Sequence, residues 1–161
     1  MADTSYLARV IYKTHTTDDN WAGSYDLLLA AKTIPSPVQA PNTVESTTLE
    51  DDTQTFEMGV KQSSSREVTG NLEKARLSAI DALAGTKLDI IHLYGTDGVG
   101  GTAKYAYVGQ VVATPSDVGG VDTILEMTAT IVPNTVAELV TDDLTVTYNE
   151  STKKFTVAAA T

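Results

Sequence analysis

Cysteine and histidine, the side chains that most often carry nucleophilic or metal chemistry, are scarce in this sequence. Among the 161 residues there is no cysteine, and the only histidines, His15 and His92, are far apart along the chain. The lack of cysteine excludes a disulfide, a thiolate zinc site and a cysteine nucleophile. Two remote histidines do not make the ligand cluster that zinc requires. His92, which precedes Leu93 and Tyr94, is therefore expected to be a half-buried packing residue.

Other patterns that could hold a ligand have simpler structural interpretations. The glycine-rich residues 95–101 lack the Gly-Lys-Ser/Thr ending of a phosphate loop and precede a strand rather than a helix, which favours a hairpin turn. The run Asp18-Asp19-Asn20 lacks the spacing and the distal glutamate of a calcium loop, so we expect a solvated loop. Asn149-Glu150-Ser151 fits a glycosylation sequon but, without a secretory signal, is expected to form a β-turn.

The sequence also lacks the signatures of common hydrolases. No Gly-x-Ser-x-Gly nucleophile elbow is present. Carboxylates are plentiful, so composition alone leaves a glycosidase with paired acids open. The chain contains a single Trp, however, and lacks the aromatic platforms that we would expect beneath a sugar. We therefore predict that the protein is not an enzyme and has no catalytic residue, no cofactor and no metal site.

The acidic charge of the chain is unevenly distributed. The formal net charge is -10, and between Lys104 and Lys153 there is no Lys, Arg or His. Acidic residues recur throughout that interval: Asp117, Asp122, Glu126, Glu138, Asp142, Asp143 and Glu150. Proteins that bind the phosphates of nucleic acid need clustered Lys or Arg side chains. The pattern argues against a nucleic-acid clamp but allows a surface that must not hold nucleic acid, and solubility is the simpler interpretation.

Length and composition indicate one globular domain over residues 1–161. Hydrophobic residues make up 42% and charged residues 20% of the chain, and the scarcity of aromatics predicts a core of Val, Leu, Ile and Ala. Met1-Ala2-Asp3 is acidic where a signal peptide would be basic, and the apolar run at 27–31 is too short to span a bilayer. We expect synthesis in the cytoplasm and no membrane binding.

Alternating apolar residues predict a mainly β protein with antiparallel strands in the N-terminal part, residues 1–42. A strand is expected at 6–12, with the following residues on one face: Tyr6, Ala8, Val10 and Tyr12. Residues 25–34 suit a buried strand or a short helix equally well. The prolines that follow, Pro35, Pro37 and Pro41, predict extended chain without sheet hydrogen bonds.

The predicted core, residues 43–132, contains the one convincing helix of the sequence. Asn71 is its expected N-cap, the helix covers about residues 72–84, and Gly85 is the C-terminal stop. Four side chains are predicted to form the buried stripe, with Ile80 beside it: Leu72, Ala75, Ala79 and Leu83. Four others are predicted to face solvent: Glu73, Lys74, Arg76 and Asp81.

Strands are predicted on both sides of this helix. The residues at 87–94 should alternate, with Leu88, Ile90 and His92 on one face. Two hairpins in series then predict an antiparallel meander, and a last strand pair is expected in the C-terminal β segment, residues 133–161. The predicted strand ranges are 66–69, 87–94, 102–114, 121–132, 144–148 and 154–157.

The most informative segment lies between 43 and 59. A Thr-rich strand at 43–49 leads to Glu50-Asp51-Asp52, three adjacent acids that need water. Residues 53–58 can return as the second half of a hairpin, with Gly59 supplying an unusual backbone angle. Phe56 and Met58 are apolar among acids and threonines, which suits docking into a neighbouring molecule. A solvent-exposed hairpin tip is the plain alternative.

The order of these elements resembles that of the major tail proteins, or tail tube proteins, of long-tailed (siphovirus-type) bacteriophages. The resemblance covers residues 43–132, about half the chain. It rests on the following features: the strand at 45–49, the loop ending at Gly59, the Thr69-Gly70-Asn71 lead-in to the helix, and the strands at 105–112 and 121–132.

The resemblance implies an antiparallel β-sandwich or barrel with one flanking helix and a long inter-subunit loop. Subunits of this family form hexameric rings, and the rings stack through loops into a tube that carries DNA to the host. The implied partners are further copies of the chain, the tape measure protein and genomic DNA in the lumen, and tail initiator and terminator proteins. The implied location is the virion tail. Ring closure would pair the sheet edges that otherwise favour aggregation.

Two hypotheses about sites follow from the implied tube. The inter-ring contact is expected to comprise Glu50, Asp51, Asp52, Phe56 and Met58. Acids on strands between 105 and 148 are expected to face the lumen and repel DNA phosphates, and the first candidates are Asp122 and Glu126.

Two rival functions stay open on the sequence. One is the tube protein of a bacterial secretion or bacteriocin-like particle, which shares the fold and differs in cargo. The other is an Ig-like module that binds a partner or decorates a virion. The second rival predicts a stable monomer without self-association.

Overall fold

Alternating side chains build one antiparallel sheet with an apolar core against each of its faces. The computed structural model describes residue 4 and residues 6–16, 21–60 and 64–159. The elements are β1 (Arg9–Thr14), β2 (Gly23–Leu27), β3 (Ala31–Thr33), β4 (Thr43–Glu45), β5 (Phe56–Met58), β6 (Arg66–Asn71), α1 (Lys74–Ala82), β7 (Leu88–Tyr94), β8 (Ala103–Pro115), β9 (Glu126–Pro133), β10 (Glu138–Leu139), β11 (Leu144–Asn149) and β12 (Lys154–Ala159).

Ten of these strands form a sheet that curls into a half-barrel. Their order is β11-β12-β2-β1-β7-β8-β9-β6-β3, and β10 pairs with β8 off this path. Every strand pair is antiparallel. The remaining strands, β4 and β5, pair only with each other. The predicted fold class, mainly β and antiparallel with one flanking helix, is confirmed.

The central strands β1 and β7 are buried on both faces. Val10 and Ile90 point into one core, which α1 covers, whereas Ile11 and Ile91 point into the other, which β2, β11 and β12 cover. All four side chains are at most 1% exposed. The period of two along β7 therefore divides its residues between two cores, as the sequence predicted for 87–94.

Several other strand predictions are confirmed. The stretch at 25–34, for which strand and helix were both left open, contains the end of β2 and all of β3, with residues 28–30 between them in neither strand. The glycine-rich residues 95–101 join β7 to β8 as a hairpin connection, and Tyr94 pairs with Ala103. The final strand pair forms as β11 and β12. Asp18, Asp19, Asn20 and Ser63 lie outside the described residues, and the one-domain interpretation stays a prediction.

The predicted start of the helix is wrong. Asn71 is the last residue of β6, where it pairs with Glu126, and α1 begins at Lys74 with Glu73 as an N-cap that makes no side-chain hydrogen bond. The sheet continues past the expected cap, since the N–H of Leu72 donates to the carbonyl of Leu125 at 2.9 Å. Pairing with β9 thus keeps Asn71 in the sheet, so the helix begins only after the ladder ends.

The predicted buried stripe of the helix is also wrong in part. Ile80 is buried and Leu77 packs against the same core, whereas Ala75 and Ala79 are exposed. Arg76, expected in solvent, donates from Nη1 to the carbonyl of Leu27 at 2.5 Å. The larger side chains decide which face is buried, because each removes more apolar area from water than an alanine does.

The strand predicted at 121–132 is shorter than expected. β9 begins at Glu126, and the longest strand is β8, with 13 residues. The preceding residues 116–125 form an irregular loop in which Thr123 Oγ1 donates to the carbonyl of Gly120 at 2.5 Å. The strand predicted at 6–12 likewise begins later, at Arg9, and Tyr6 is exposed.

Candidate assembly surface

The strands β4 and β5 form a hairpin that is not part of the ten-stranded sheet, and we call residues 42–60 the arm. Every residue of both strands is exposed. The arm closes at its root, where the N–H of Gly59 donates to the carbonyl of Asn42 at 2.5 Å. Seven residues of extended chain from that root to the tip correspond to a reach of about 20 Å. An isolated two-stranded hairpin is marginal in water, so a free arm of this kind gains stability from a partner.

Gly59 has a different role from the one predicted. Its φ is not among the positive glycine values, so the arm needs no unusual backbone angle there. A Cβ at this position would instead lie 3.0 Å from the carbonyl oxygen of Asn42 and 3.2 Å from Cγ2 of Val44. Glycine is needed because the two backbone segments of the hairpin approach each other closely at the root.

Side chains continue the hairpin beyond its two strands. The N–H of Ser46 donates to the carbonyl of Thr55 at 2.9 Å, and the N–H of Thr55 donates to Thr47 Oγ1 at 2.9 Å. At the tip, the carboxylate of Asp51 accepts from the N–H of Thr48 at 2.7 Å and from its hydroxyl at 3.2 Å. The threonines of this segment therefore replace ladder bonds and order the arm.

The residues predicted to make the inter-ring contact all lie on the arm but differ in their surroundings. Asp51 is engaged in its own turn, whereas Glu50 and Asp52 make no hydrogen bond or ion pair with the part of the chain that is described. Phe56 and Met58 lie on one face of β5, with 56% and 79% of their side chains exposed. Their role in a contact between rings stays a prediction.

Leu49 is the most exposed large apolar residue at the tip and was not among the predicted contact residues. Its relative exposure is 104%, and it sits directly beside the three adjacent acids. A leucine next to an acid cluster was the available signal, because such a residue has no local core to join. The tip thus presents one exposed leucine side chain next to three carboxylates.

The arm carries charge of one sign only. It contains five acids and no Lys, Arg or His at residues 42–60: Glu45, Glu50, Asp51, Asp52 and Glu57. Two such arms would repel each other if they met tip to tip. A head-to-tail contact with a different surface of the next molecule is therefore favoured over a two-fold contact between arms.

An apolar cavity of about 310 Å³ lies at the root of the arm. Met58 and Gly59 line one side of it, and the residues after β9 line another. The apolar lining residues are Pro37, Val38, Pro41, Met58, Val136 and Ala137. Val38 and Val136 are themselves 44% and 41% exposed, so apolar surface continues from the arm onto the sheet.

The predicted lumen acids lie in two different settings. Glu126 begins β9, on the solvent side of the sheet, and its Oε1 lies 2.9 Å from Nζ of Lys32. Asp122 is exposed in the irregular loop at 116–125 and not on a strand, which corrects that part of the expectation. The structure does not bring the two acids into one cluster, and their place in a lumen stays a prediction.

A row of threonines crosses the same solvent-facing side of the sheet as Glu126. Thr33 pairs with Thr69, Thr69 with Thr128, and Thr128 with Thr114, so four neighbouring strands each contribute one hydroxyl. The side chains of Thr33 and Thr69 hydrogen-bond to each other. This open face is polar but uncharged along the row, and it offers hydroxyl groups rather than cations to whatever it meets.

The core beneath the arm's root contains a polar cluster that the sequence did not predict. His92 is fully buried rather than half-buried, and its Nε2 lies 2.8 Å from the hydroxyl of Tyr107. Burial and the nearby Arg66 lower the pKa of His92 to about 3, so the imidazole is neutral. Burial also raises the pKa of the Tyr107 hydroxyl, whereas the nearby charge of Arg66 acts to lower it.

Within the described residues, no cluster of three or more His, Asp or Glu side chains is placed to hold a metal ion. No helix in that part of the chain is both long and apolar enough to cross a membrane. The buried carboxylate of Asp89 lies beside two basic side chains instead, with Oδ2 3.2 Å from Nζ of Lys13 and Oδ1 2.6 Å from Nδ1 of His15.

Comparison with known proteins gives a similarity of fold. The fold resembles that of a chain in the anti-feeding prophage (AFP) baseplate. That chain, from a cryo-EM structure symmetrised six-fold, matches with a TM-score of 0.59 and 10% sequence identity over 86% of this chain and 95% of that one. At this identity the similarity concerns the fold alone. No model of a protein family and no curated protein matches the sequence.

Proposed function

We propose that this chain is a structural subunit of a phage-type tail, which polymerises as stacked, hexameric rings into a tube. The observation that carries the proposal is the arm, an ordered hairpin whose two strands are exposed on every residue and whose tip bears Leu49 beside three acids. Exposed apolar groups on such a hairpin suit a contact with another molecule. The fold shared with a chain of a prophage baseplate supports a role in such a particle.

In this proposal the arm makes the contact between rings. Leu49, Phe56 and Met58 would bury apolar surface against the next ring, while Glu50 and Asp52 would pair with donors or cations there. Asp51 would keep the tip in shape. Because like-charged arms repel one another, the contact is head to tail, and repeated contacts of that kind give an open filament rather than a closed dimer.

The proposed partners are other copies of the chain, a tape measure protein and DNA within the lumen, and initiator and terminator proteins at the two ends. The proposed location is the virion tail. Asp122 and Glu126 are proposed to face the lumen, with Glu126 on the open sheet face that bears the threonine row. A wall with hydroxyls and carboxylates but few free cations would let phosphates pass without holding them.

A second candidate shares the architecture and differs in cargo. The similar chain comes from an anti-feeding prophage baseplate, which favours a subunit of a prophage-derived particle that need not carry DNA. A tube protein of a bacterial secretion or bacteriocin-like particle belongs to the same candidate class. Nuclease treatment of native particles, followed by a test for protected DNA, separates the two: protected DNA supports the tail tube.

Negative-stain electron microscopy of the purified protein at high concentration tests the proposal. Wild-type protein is expected to form hollow tubes with a regular axial repeat. In the armless variant, Asn-Gly replaces residues 44–57, because Thr43 and Met58 are directly opposite and a two-residue Asn-Gly turn joins such partners. This variant is expected to stay a folded monomer.

A matched control keeps the arm and removes exposed apolar groups elsewhere. Val121 is 101% exposed in the loop at 116–125, and Val121→Ser removes it. The control is expected to form tubes like the wild type. Tubes formed equally well by the armless variant would contradict the proposed contact and leave the arm as a surface feature.

A further inference from the structure

The segment that connects β3 to the arm cannot be held by ordinary sheet hydrogen bonds. Pro35, Pro37 and Pro41 have no backbone N–H, so residues 34–41 offer few donors to a neighbouring strand. Yet this segment leads directly into Asn42, whose carbonyl closes the root of the arm. Whatever fixes the proline segment therefore also fixes the direction in which the arm leaves the sheet.

Arg66, the first residue of β6, supplies the missing donors. Its Nε donates to the carbonyl of Ser36 at 3.1 Å, and its Nη2 donates to the carbonyl of Pro37. Two adjacent carbonyls of the proline segment are thus held by one guanidinium, whose planar fork suits such a pair of bonds. Pro37 is buried at this point of contact.

The environment of Arg66 is costly for a cation. The residue is only 4% exposed, and no carboxylate of the described residues forms an ion pair with it. Its Nη1 is buried without a hydrogen-bond partner in the same part of the chain. The compensation comes from the two carbonyls and from the ring of Tyr107, whose centroid lies 4.8 Å from Cζ. An apolar residue of similar volume would avoid the cost of burying this charge.

The contact continues from Arg66 to β7, which is buried on both faces of the sheet. The hydroxyl of Tyr107, on β8, lies 2.8 Å from Nε2 of His92, on β7. Both residues are fully buried. A chain of side chains therefore runs from the doubly covered strands, through Tyr107 and Arg66, to the carbonyls of Ser36 and Pro37 and so to the root of the arm.

We propose that Arg66 is the positioning residue of the arm: its guanidinium holds the proline segment at Ser36 and Pro37 and thereby sets the arm's direction relative to the sheet. The arm's contact residues are exposed and its strands pair with no strand of the ten-stranded sheet, so the direction in which they point depends on the root. The consequence for tube assembly rests on the proposed function, but the orientation of the arm does not.

Spin-label distances in the full-length chain test this positioning without relying on assembly. Since the chain has no cysteine, Thr53→Cys on the arm and Val132→Cys on β9 give a specific label pair, and both sites are exposed. The doubly labelled protein that retains Arg66 is expected to give one narrow distribution of distances between the two labels. Arg66→Met, which keeps the bulk and removes both donors, is expected to give a broadened distribution with a shifted mean.

Two further measurements separate positioning from general loss of structure. A label pair within the body, Val132→Cys and Thr145→Cys, should keep its distribution in Arg66→Met. Arg66→Lys retains the charge but lacks the planar fork whose two nitrogens reach the two carbonyls, so an intermediate distribution is expected. If Arg66→Met does not fold, the lysine variant carries the test, with amide exchange of Gly59 expected to accelerate roughly ten-fold.

A narrow, unshifted distribution in a folded Arg66→Met protein would overturn the inference, as would an unchanged Gly59 exchange rate in the lysine variant. A broadened distribution with unchanged tubes would uphold the positioning role and contradict the arm's proposed part in assembly. A broadened distribution with loss of tubes would support both.

Discussion

The carboxylate of Asp51 accepts the backbone N–H of Thr48 at 2.7 Å and so closes the tip of the arm with a side chain instead of a ladder bond. The reverse contact runs along the backbone, where the N–H of Asp51 donates to the carbonyl of Thr48 at 3.1 Å. The two residues define a compact turn at the farthest point of an exposed hairpin. This turn holds Leu49 outward, between its two closing residues.

Asp51→Ala is expected to loosen the tip without unfolding the sheet. The variant removes a charge-assisted acceptor from the Thr48 N–H, whose amide exchange should accelerate by roughly ten-fold. The free energy of unfolding should change by no more than about 0.5 kcal/mol, because the site is exposed. Asp52→Ala is the matched control, and NMR-detected exchange is the measurement. Equal Thr48 protection in both variants would contradict the role of Asp51.

Gly70→Ala is expected to destabilise the whole sheet. A Cβ at Gly70 would lie 2.3 Å from the carbonyl oxygen of Ala30 and 2.6 Å from Cδ1 of Leu29, so the edge of the sheet must move away. The expected loss is about 1–3 kcal/mol of unfolding free energy, measured by urea denaturation.

Gly120→Ala is the control for that experiment, because a Cβ there meets no atom within 4 Å. Its unfolding free energy should stay within about 0.5 kcal/mol of the wild type. A Gly70→Ala protein as stable as this control would contradict the close approach of Ala30 to β6.

Acid is expected to destabilise the protein through His92. The folded pKa of about 3 lies below the ordinary value of 6.5, so between these two pH values the unfolded chain binds the extra proton. Stability should therefore rise as pH increases through this window and fall as pH decreases through it. In His92→Gln the slope of stability against pH should be smaller from pH 6.5 downward. Urea denaturation of both proteins across this range would measure it, and identical slopes would contradict burial of a neutral imidazole.

Reversal of charge on the open sheet face is expected to make assembled particles retain DNA. Glu126→Lys removes the carboxylate 2.9 Å from Lys32 and leaves two adjacent cations beside the threonine row. Binding of a labelled duplex to assembled protein, measured by anisotropy at low salt, should appear in this variant and weaken steeply with added salt. Glu150→Lys, at the β11–β12 turn, is the control. If both variants bind the duplex equally well, the proposal that the open face lines the lumen is contradicted.

The sequence predicted those parts of the fold that depend on local alternation. In β7, each residue from Leu88 to Leu93 is assigned to the correct face, because successive side chains of any strand point to opposite faces once the strand itself is recognised. The exposed hairpin of the arm could also be predicted, because acids and threonines with isolated apolar residues have no core to join.

The errors arise where tertiary contacts override local signals. Asn71 has the side chain of a helix cap, but pairing with Glu126 keeps it in β6. Ala75 and Ala79 have the spacing of a buried stripe, yet the larger Leu77 and Ile80 decide the orientation of the helix. No local pattern marks Arg66 as buried either, because its partners are carbonyls of a segment 29 and 30 residues earlier.

The most direct test of the central claim is a cryo-EM reconstruction of the assembled wild-type protein. The account predicts stacked rings in which density for the arm leaves its own ring and contacts the next, with Leu49, Phe56 and Met58 at that contact. Arms folded back within their own ring, or a protein that remains monomeric at every concentration with and without its arm, would contradict it.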